Sequence, residues 1–466
     1  MEPTGRERLS PLDVSFLYLE GPTTAMHVGG VAIFEVPASG YDYDGLVDRL
    51  SARIASVRRY RQKVRFVPGG LAGPVWVDDP DFDLGYHVRR SGLPRPGSDE
   101  QLRELVGRLQ ARPLDRHRPL WEMYVVEGLA GDRFAIVTKT HHAMVDGVAA
   151  LDIGQLILDP SPTPRDPPPL DWTPEPEPSS LELLAESLAD VVAAPSNLVD
   201  VLRHSADDAR RTAGSLGTKA GGLLAAVRTA ARRAPTSPLN VDIGGSRRYG
   251  TACTELDDYK RVRKAHGGTV NDVVLATVSG ALRRWLLSRG ERVPVATTVR
   301  AMVPVSVRGA DAAGELGNRI SAYLVDLPVG DPDPVHRLAS VSAGMRAHKS
   351  EGQSVGADAL VALGGFAPPT IHALGARAVS AYSRRLFNLV VTNVPGPQFP
   401  LYAAGARMLE AFPVVPLVRG QAVSIGLTSY DGRVFYGLNA DREAMPDVEV
   451  LGGLIEESLA ELVRTV

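Results

Sequence analysis

Residues 141–147, His-His-Ala-Met-Val-Asp-Gly, place two adjacent imidazoles before a carboxylate and a glycine, and we call them the HHxxxDG segment. An imidazole with a pKa near ~6.5 accepts a proton at neutral pH without a large perturbation. These residue types therefore suit general-base catalysis. The two histidines cannot share one role, because successive side chains of an extended segment point to opposite sides. We expect one to face the substrate and the other the protein interior.

Two other interpretations of the segment stay open at this point. Asp146 and Gly147 also suit a helix N-cap and a turn, with no role in chemistry. His142 and Asp146 have the helical spacing of two metal ligands. The remaining histidines are scattered along the chain, however, and no Cys/His cluster completes a coordination shell.

The elements around the segment have a mixed pattern. An alternating apolar run at 134–140 predicts a strand that leads into the histidines, and residues 147–158 are helix-like. Further strands are predicted at 28–35, 73–77 and 121–126, and helices at 45–54 and 99–111. Residues 1–158 are therefore predicted to form a first α/β domain that carries the HHxxxDG segment.

A connecting region, residues 159–245, differs in composition. Residues 159–179 are rich in proline and cannot form a helix or a central strand. Two helical stretches follow, with apolar faces made by Leu181, Leu184, Leu188, Val191 and Val192, and by Leu216, Leu223, Leu224 and Val227. Lys219, Arg228, Arg232 and Arg233 flank the second stretch, which resembles an interfacial membrane helix. An amphipathic helix packed on its own domain explains the pattern equally well.

Residues 246–466 return to a mixed pattern and are predicted to form a second α/β domain. A long helix is predicted at 271–287, and strands are predicted at 295–307, 319–327, 386–394 and 423–430.

Three groups in this half are candidates for a site. Arg308 ends an apolar segment and could pair with Asp146, which would fix the loop that carries the histidines. Asn271 and Asp272 begin the long helix, where capping is the simpler role. Thr392 and Asn393 precede a Pro-Gly-Pro turn; such polar residues can line a pocket, although turn formation alone also explains them.

Composition excludes several classes of protein. The net charge of −3 over 466 residues gives no basic field, so nucleic acid is not expected as a partner. One cysteine excludes an internal disulfide, and the N-terminus lacks a secretory apolar region. No run of about 18 apolar residues predicts a spanning helix. A Gly-x-Ser-x-Gly match at 352–356 follows a polar, helix-like stretch instead of the buried strand that a nucleophile elbow requires. We expect a cytoplasmic protein, or one that visits a membrane surface.

Taken together, these segments resemble the bacterial wax ester synthase/acyl-CoA:diacylglycerol acyltransferase family, especially its actinobacterial members. The matching segments lie at 9–13, 16–20, 26–30, 113–121, 141–147, 268–272, 303–308, 314–318 and 392–397. The HHxxxDG segment is shared with peptide-synthetase condensation domains and polyketide-associated acyltransferases, so the other segments carry the specificity. Thr392 stands where the family often has serine, and residues 240–248 match the family only loosely.

The resemblance implies two chloramphenicol-acetyltransferase-like α/β domains, joined by the proline-rich and helical crossover, with the active-site channel between them. It implies a long-chain acyl-CoA donor and an acceptor that is diacylglycerol or a long-chain fatty alcohol. It implies no cofactor, no metal and no covalent acyl-enzyme. Because both products are lipids, contact with the inner membrane or with lipid droplets is also expected.

The resemblance also assigns roles to the candidate residues. His142 is the expected general base and His141 orients the loop. Site support is expected from Asp146, Gly147 and Arg308, and channel positions are expected at Asn271, Asp272, Thr392 and Asn393.

Two alternatives remain. One is a condensation-type or polyketide-linked acyltransferase whose donor is a carrier-protein thioester. The other is a lipid-binding relative that has lost turnover.

Overall fold

A computed structural model of the protein describes residues 7–37, 40, 42–70, 72–145, 153–165, 172–193, 233–306, 320–350, 355–356 and 385–466. The helices in these ranges are α1 (Pro11–Leu19), α2 (Tyr43–Ala55), α3 (Leu84–His87), α4 (Asp99–Ala111), α5 (His142–Val145), α6 (Ile153–Ile157), α7 (Ser180–Ala193), α8 (Leu256–His266), α9 (Val270–Ser288), α10 (Pro334–Ser350) and α11 (Val448–Val463). Short 3-10 turns occupy Arg58–Arg61 and Pro68–Gly70.

The strands are β1 (His27–Glu35), β2 (Gln62–Arg65), β3 (Val75–Asp78), β4 (Val88–Gly92), β5 (Trp121–Leu129), β6 (Arg133–His141), β7 (Arg247–Glu255), β8 (Val299–Ser306), β9 (Ile320–Leu327), β10 (Val355–Gly356), β11 (Leu389–Pro395), β12 (Tyr402–Ala403), β13 (Ala406–Val414), β14 (Val423–Tyr430) and β15 (Arg433–Asp441). In the described residues they form a six-stranded sheet, a seven-stranded sheet and the hairpin β2–β3.

The first sheet has the strand order β12-β13-β1-β6-β5-β4 and carries the histidine pair. Strands β5 and β6 pair antiparallel in its middle and are buried along most of their length, as expected for strands covered on both faces. Strand β6 ends at His141, as the alternating run predicts. Helix α4 has the predicted bounds 99–111, because Ser98 and Gln101 form a capping box at its first turn.

The second sheet has the order β10-β9-β8-β11-β14-β15-β7. Strand β11 runs parallel to β8 and β14, and the other described neighbours pair antiparallel. Helix α9 is buried around most of its circumference, which places it in the interior of this half. Strand β8 begins at Val299, later than the predicted 295, because Thr297 donates to the carbonyl of Pro294 in a turn.

The two sheets do not divide the chain at residue 246. Strand β13 comes from the C-terminal part of the chain and pairs antiparallel with β1, with Gly29 opposite Val414. Met408 and Phe412 of this strand belong to the core of the first sheet. The hydroxyl of Tyr249 donates to the carbonyl of Pro413 at 2.9 Å and links the two sheets. The range 246–466 therefore supplies every strand of the second sheet and also β12 and β13 of the first. Cross-strand packing, which acts over any sequence distance, assigns β13 to the first sheet.

The proline-rich connection is docked on the first half of the chain. Its described parts, 159–165 and 172–179, contain no helix and no strand beyond an isolated bridge between Asp159 and Tyr402. The guanidinium of Arg61 lies 4.2 Å from the ring centroid of Trp172, and Lys63 pairs with Glu177 at 3.0 Å. Aromatic and acidic residues between the prolines thus hold the connection against the β2–β3 hairpin.

Helix α7 follows this connection, and in its first turn the buried residue is not one of the predicted apolar face. Leu183 is buried against Val75 and Val77, whereas Leu181, a member of the predicted apolar face, is 78% exposed. The second predicted amphipathic stretch, 216–233, lies outside the described residues apart from Arg233.

Candidate active site

The two histidines lie where β6 ends and α5 begins, and neighbouring segments fix their backbones. The amide of His141 donates to the carbonyl of Leu120 at 2.9 Å, and the amide of His142 donates to that of Met26 at 2.8 Å. His27 lies opposite His141 in the β1–β6 register. Two other segments, at 26–27 and at 120, therefore hold the histidine pair in place.

His141 is buried and held neutral. Only 1% of the residue is exposed, and burial lowers the pKa of its imidazole to about 3, with further lowering by Arg116 and His142. Its Nδ1 accepts from the amide of Ala143 at 3.1 Å, so the neutral ring carries its hydrogen on Nε2. Because it faces inward and binds the first turn of α5, its geometry is that of a residue that orients the loop.

His142 is half-buried and lies against an aromatic ring. The ring centroids of Phe16 and His142 are 3.9 Å apart, with an interplanar angle of 20°. Nδ1 of His142 is buried. The exposed surface of this residue therefore comes from its other atoms. One histidine faces the interior and its neighbour is accessible, as the alternation of side chains predicts.

Glu20 and Arg116 form an ion pair beside His141. Arg116 donates to Oε2 of Glu20 through Nε at 2.9 Å and also through Nη2. Nε2 of His141 lies 3.9 Å from the same carboxylate oxygen. The Glu20 side chain is 7% exposed, whereas that of Arg116 is 40% exposed. The pair places a carboxylate near the hydrogen-bearing nitrogen of His141 and neutralises it with the guanidinium.

A buried lysine, Lys139, joins the end of strand β6 to helix α4. Nζ of Lys139 donates to the carbonyl of Leu109 at 3.2 Å and to that of Arg112, both at the C-terminal end of the helix, where carbonyls lack further intrahelical partners. Nζ also lies 3.6 Å from Glu122. Burial lowers the pKa of Lys139 to about 8 against the opposing effect of Glu122. These contacts tie the strand that carries the histidines to α4.

Predicted site residues in the second half meet at one end of β11. Nδ2 of Asn393 donates to Oδ1 of Asn271 at 3.2 Å, and Thr392 precedes Asn393 on the same strand. Asp272 is buried and completes the capping box of α9, whose N-cap residue is Thr269; its Oδ2 accepts from the amide of Thr269 and from the hydroxyl of Ser342. Capping accounts for its geometry, and its role in a channel stays a prediction.

Three of the predicted residues, Asp146, Gly147 and Arg308, lie outside the described residues, so the predicted pairing of Asp146 with Arg308 stays a prediction. The structure adds Phe16, Glu20 and Arg116, which sequence reasoning did not assign to the site. All three lie in the segments 16–20 and 113–121 that carry the family resemblance. Their position in these family-matching segments was the only sequence signal that could have assigned them to the site, since nothing in their local pattern indicates chemistry.

A cavity of about 320 Å³ opens beside the Glu20–Arg116 pair. It lies where the loop after α1, the end of α4 and the start of β7 meet, and Arg247 adds a second guanidinium to its wall. Among the described residues, which do not include Asp146, no three His, Cys, Asp or Glu side chains are grouped to hold a metal ion.

Comparisons with known proteins define both the family and the fold. Residues 9–274 match the wax ester synthase/diacylglycerol acyltransferase catalytic domain, and residues 316–463 match the C-terminal domain of the same family. A wax ester synthase/diacylglycerol acyltransferase structure from Marinobacter aquaeolei aligns over 98% of this chain and 99% of that chain, with a TM-score of 0.68 and 28% identity. The first condensation domain of the calcium-dependent antibiotic synthetase aligns with a TM-score of 0.58 at 17% identity, covering 99% of this chain and 96% of that one, and shows a shared fold only.

Relatives in sequence agree with this assignment. Two proteins of Mycobacterium tuberculosis named "probable diacylglycerol O-acyltransferase" are 34% and 36% identical over 98% of this chain, covering 95% and 99% of their own lengths. The protein is an enzyme of the two-domain α/β acyltransferase class. It belongs to the wax ester synthase/diacylglycerol acyltransferase family, so the predictions of family and fold class are confirmed.

Proposed function

We propose that this enzyme transfers a long-chain acyl group from acyl-CoA to the hydroxyl of diacylglycerol, of a long-chain fatty alcohol, or of both. The products are triacylglycerol and a wax ester, respectively. The observation that carries the proposal is the arrangement of the histidine pair, in which a buried, neutral His141 lies beside an accessible His142. This arrangement stands in a chain that the catalytic-domain model of the family matches over residues 9–274.

In the proposed reaction His142 is the general base. It takes the proton from the acceptor hydroxyl, and the oxygen forms a bond to the carbonyl carbon of the thioester. The tetrahedral intermediate collapses, the carbon–sulfur bond breaks, and the proton passes from His142 to the CoA thiolate. Burial of Nδ1 makes Nε2 the nitrogen that exchanges the proton. The ester forms directly, without a covalent acyl-enzyme and without a cofactor.

The other predicted residues have supporting roles in this proposal. His141 holds the first turn of α5 through the amide of Ala143, which keeps the imidazole of His142 at the end of β6. Asp146 and Arg308 pair to fix the remainder of the loop, with Gly147 at its turn. The amides of Asn271 and Asn393, with Thr392, line the part of the channel that lies between the two sheets.

The acceptor is a lipid, so we also propose that the enzyme works on the cytoplasmic side at a membrane or lipid-droplet surface. Within the described ranges, no helix is long and apolar enough to cross a bilayer. Leu181, at the start of α7, is 78% exposed and precedes the predicted amphipathic stretch with basic flanks. An exposed apolar side chain that is followed in the sequence by a basic amphipathic stretch suits interfacial contact.

The test follows the release of CoA thiol from palmitoyl-CoA with dioleoylglycerol or hexadecanol as acceptor. We expect acceptor-dependent release by the wild-type protein and a loss of roughly 10²- to 10⁴-fold in His142→Ala. His117→Ala, which removes an exposed histidine, is the control and should retain wild-type rates. The better acceptor defines the product class.

No release with either acceptor would contradict the proposal. Transfer from an acylated, phosphopantetheine-loaded carrier protein would then indicate the condensation-type alternative. Binding of labelled dioleoylglycerol without any transfer would indicate a lipid-binding relative that has lost turnover.

A further inference from the structure

The side chain of Phe16 is placed against the proposed base and not in the hydrophobic core. On helix α1, Val14 and Leu17 are buried in the core of the first sheet. Phe16 is half-buried, and its ring is stacked on the imidazole of His142 with centroids 3.9 Å apart. Core packing therefore explains the positions of Val14 and Leu17 but not the orientation of the Phe16 ring.

Helix α1 is held at both ends, which fixes where this ring lies. At the start, the hydroxyl of Ser10 accepts from the amide of Asp13 at 3.1 Å and donates to its carboxylate at 2.7 Å. At the end, Arg116 donates to the carbonyl of Leu17 at 2.8 Å, so the ion pair beside His141 also secures the helix. A ring on a helix held at both ends is a rigid surface for the imidazole.

We propose that Phe16 is a positioning residue for the acyl transfer, acting through His142. This inference rests on the proposed function, because it requires His142 to be the base. The stacked ring restricts the imidazole to one plane, so that its proton-accepting nitrogen keeps its direction toward the hydroxyl. The π face of Phe16 also lies against the imidazolium that forms when His142 takes the proton, and such a face attracts a cation.

The variants that test this role differ in the ring but keep an apolar side chain. Phe16→Met and Phe16→Leu remove the aromatic face, whereas Phe16→Trp keeps it. Tyr18→Leu is the matched control, since it removes an aromatic ring of the same helix that packs on the core. Thermal unfolding of each variant identifies any that fail to fold, and the methionine variant, which is close to phenylalanine in volume, is the one expected to tolerate the site.

The chemical step is measured in single turnovers with palmitoyl-CoA and saturating hexadecanol. We expect Phe16→Met and Phe16→Leu to lower the single-turnover rate by roughly 5- to 30-fold, with little change in KM for the acyl-CoA. Phe16→Trp should retain most of the rate, and Tyr18→Leu should leave it near wild type while lowering the melting temperature. If the role of Phe16 were purely structural, the single-turnover rate would follow the melting temperature in all four variants.

A second measurement replaces hexadecanol by 2,2-difluorohexadecanol, whose hydroxyl is more acidic and needs less help from a base. A defect that acts through His142 should shrink with this acceptor in Phe16→Met and in His142→Ala alike. Equal rates for Phe16→Met, Phe16→Trp and wild type with both acceptors would overturn the role of Phe16. Full activity of His142→Ala would instead overturn the proposed base, so the two failures are distinguishable.

Discussion

Asn393 on strand β11 donates its side-chain amide to Oδ1 of Asn271 in the first turn of helix α9, at 3.2 Å. The two residues are 122 positions apart in sequence, and both are predicted channel residues. The bond joins the end of a central strand of the second sheet to the start of its buried helix. An amide pair at this place fixes the start of the helix and also presents polar atoms at the end of strand β11.

Removing either partner of this pair should destabilise the protein and slow transfer. We expect Asn271→Ala and Asn393→Ala each to lower the free energy of unfolding by about 1 kcal/mol and to be non-additive in the double variant, with a coupling of roughly 0.5–1.5 kcal/mol. Urea unfolding of the four proteins measures the coupling. The pair Asn271→Ala and Tyr18→Leu, on helices α9 and α1 that pack on different hydrophobic cores, should be additive. A coupling near zero for the asparagines would show that the bond contributes nothing to stability.

The burial of His141 predicts a loss of stability in acid. Its pKa is about 3 in the folded protein and near 6.5 when unfolded, so between these values the unfolded chain binds more protons and falling pH favours unfolding. From pH 7 to pH 5 this histidine alone should remove about 2 kcal/mol of stability. His141→Asn cannot titrate there, and its side-chain oxygen can still accept from the amide of Ala143. Urea unfolding at pH 7 and pH 5 should show that this variant loses about 2 kcal/mol less stability than the wild type. An equal loss in the two proteins would contradict the low pKa of His141.

The Glu20–Arg116 pair predicts an asymmetric response to mutation. Arg116→Met leaves the nearly buried carboxylate of Glu20 without its cation and should cost about 1–3 kcal/mol, a range reduced because Arg116 is 40% exposed. Glu20→Gln with Arg116→Met should recover part of that loss, since no charge is then left uncompensated. Chemical denaturation of the single and double variants tests this. If the double variant were no more stable than Arg116→Met alone, the uncompensated charge of Glu20 would not be the cause of the loss.

Two adjacent glycines on β1 offer a matched pair for testing how closely β1 and β6 pack. A Cβ on Gly29 would lie 2.0 Å from the carbonyl oxygen of Thr138, a backbone atom that cannot move without shifting β6. A Cβ on Gly30 would have no neighbour closer than 3.7 Å. We expect Gly29→Ala to destabilise the protein by at least about 3 kcal/mol and to reduce transfer, and Gly30→Ala to cost less than about 1 kcal/mol. Similar melting temperatures for the two variants would contradict this packing.

Local sequence patterns were sufficient for the elements that carry the site. The alternation at 134–140 predicts β6, and the helix at 99–111 is found with the predicted bounds. Both depend on periodicity and capping within a few residues, which sequence displays directly. The alternation of side chains likewise predicts that one of the paired histidines is buried, and the motifs together identify the family. The pairing of Asp146 with Arg308 and the channel roles stay predictions.

Contacts between distant segments were decided by the tertiary structure alone. Nothing in residues 406–414 indicates that they pair with β1 instead of the second sheet, because any strand edge offers the same backbone donors and acceptors. The proline-rich connection looks like a linker until Trp172 is seen against Arg61. The sequence by itself determined the family and the main elements, since these reside in residue type and short-range spacing, and it predicts the chemistry of the histidine pair. Only the tertiary structure placed Phe16 against His142, because a stacking distance between two rings depends on how whole helices and sheets pack.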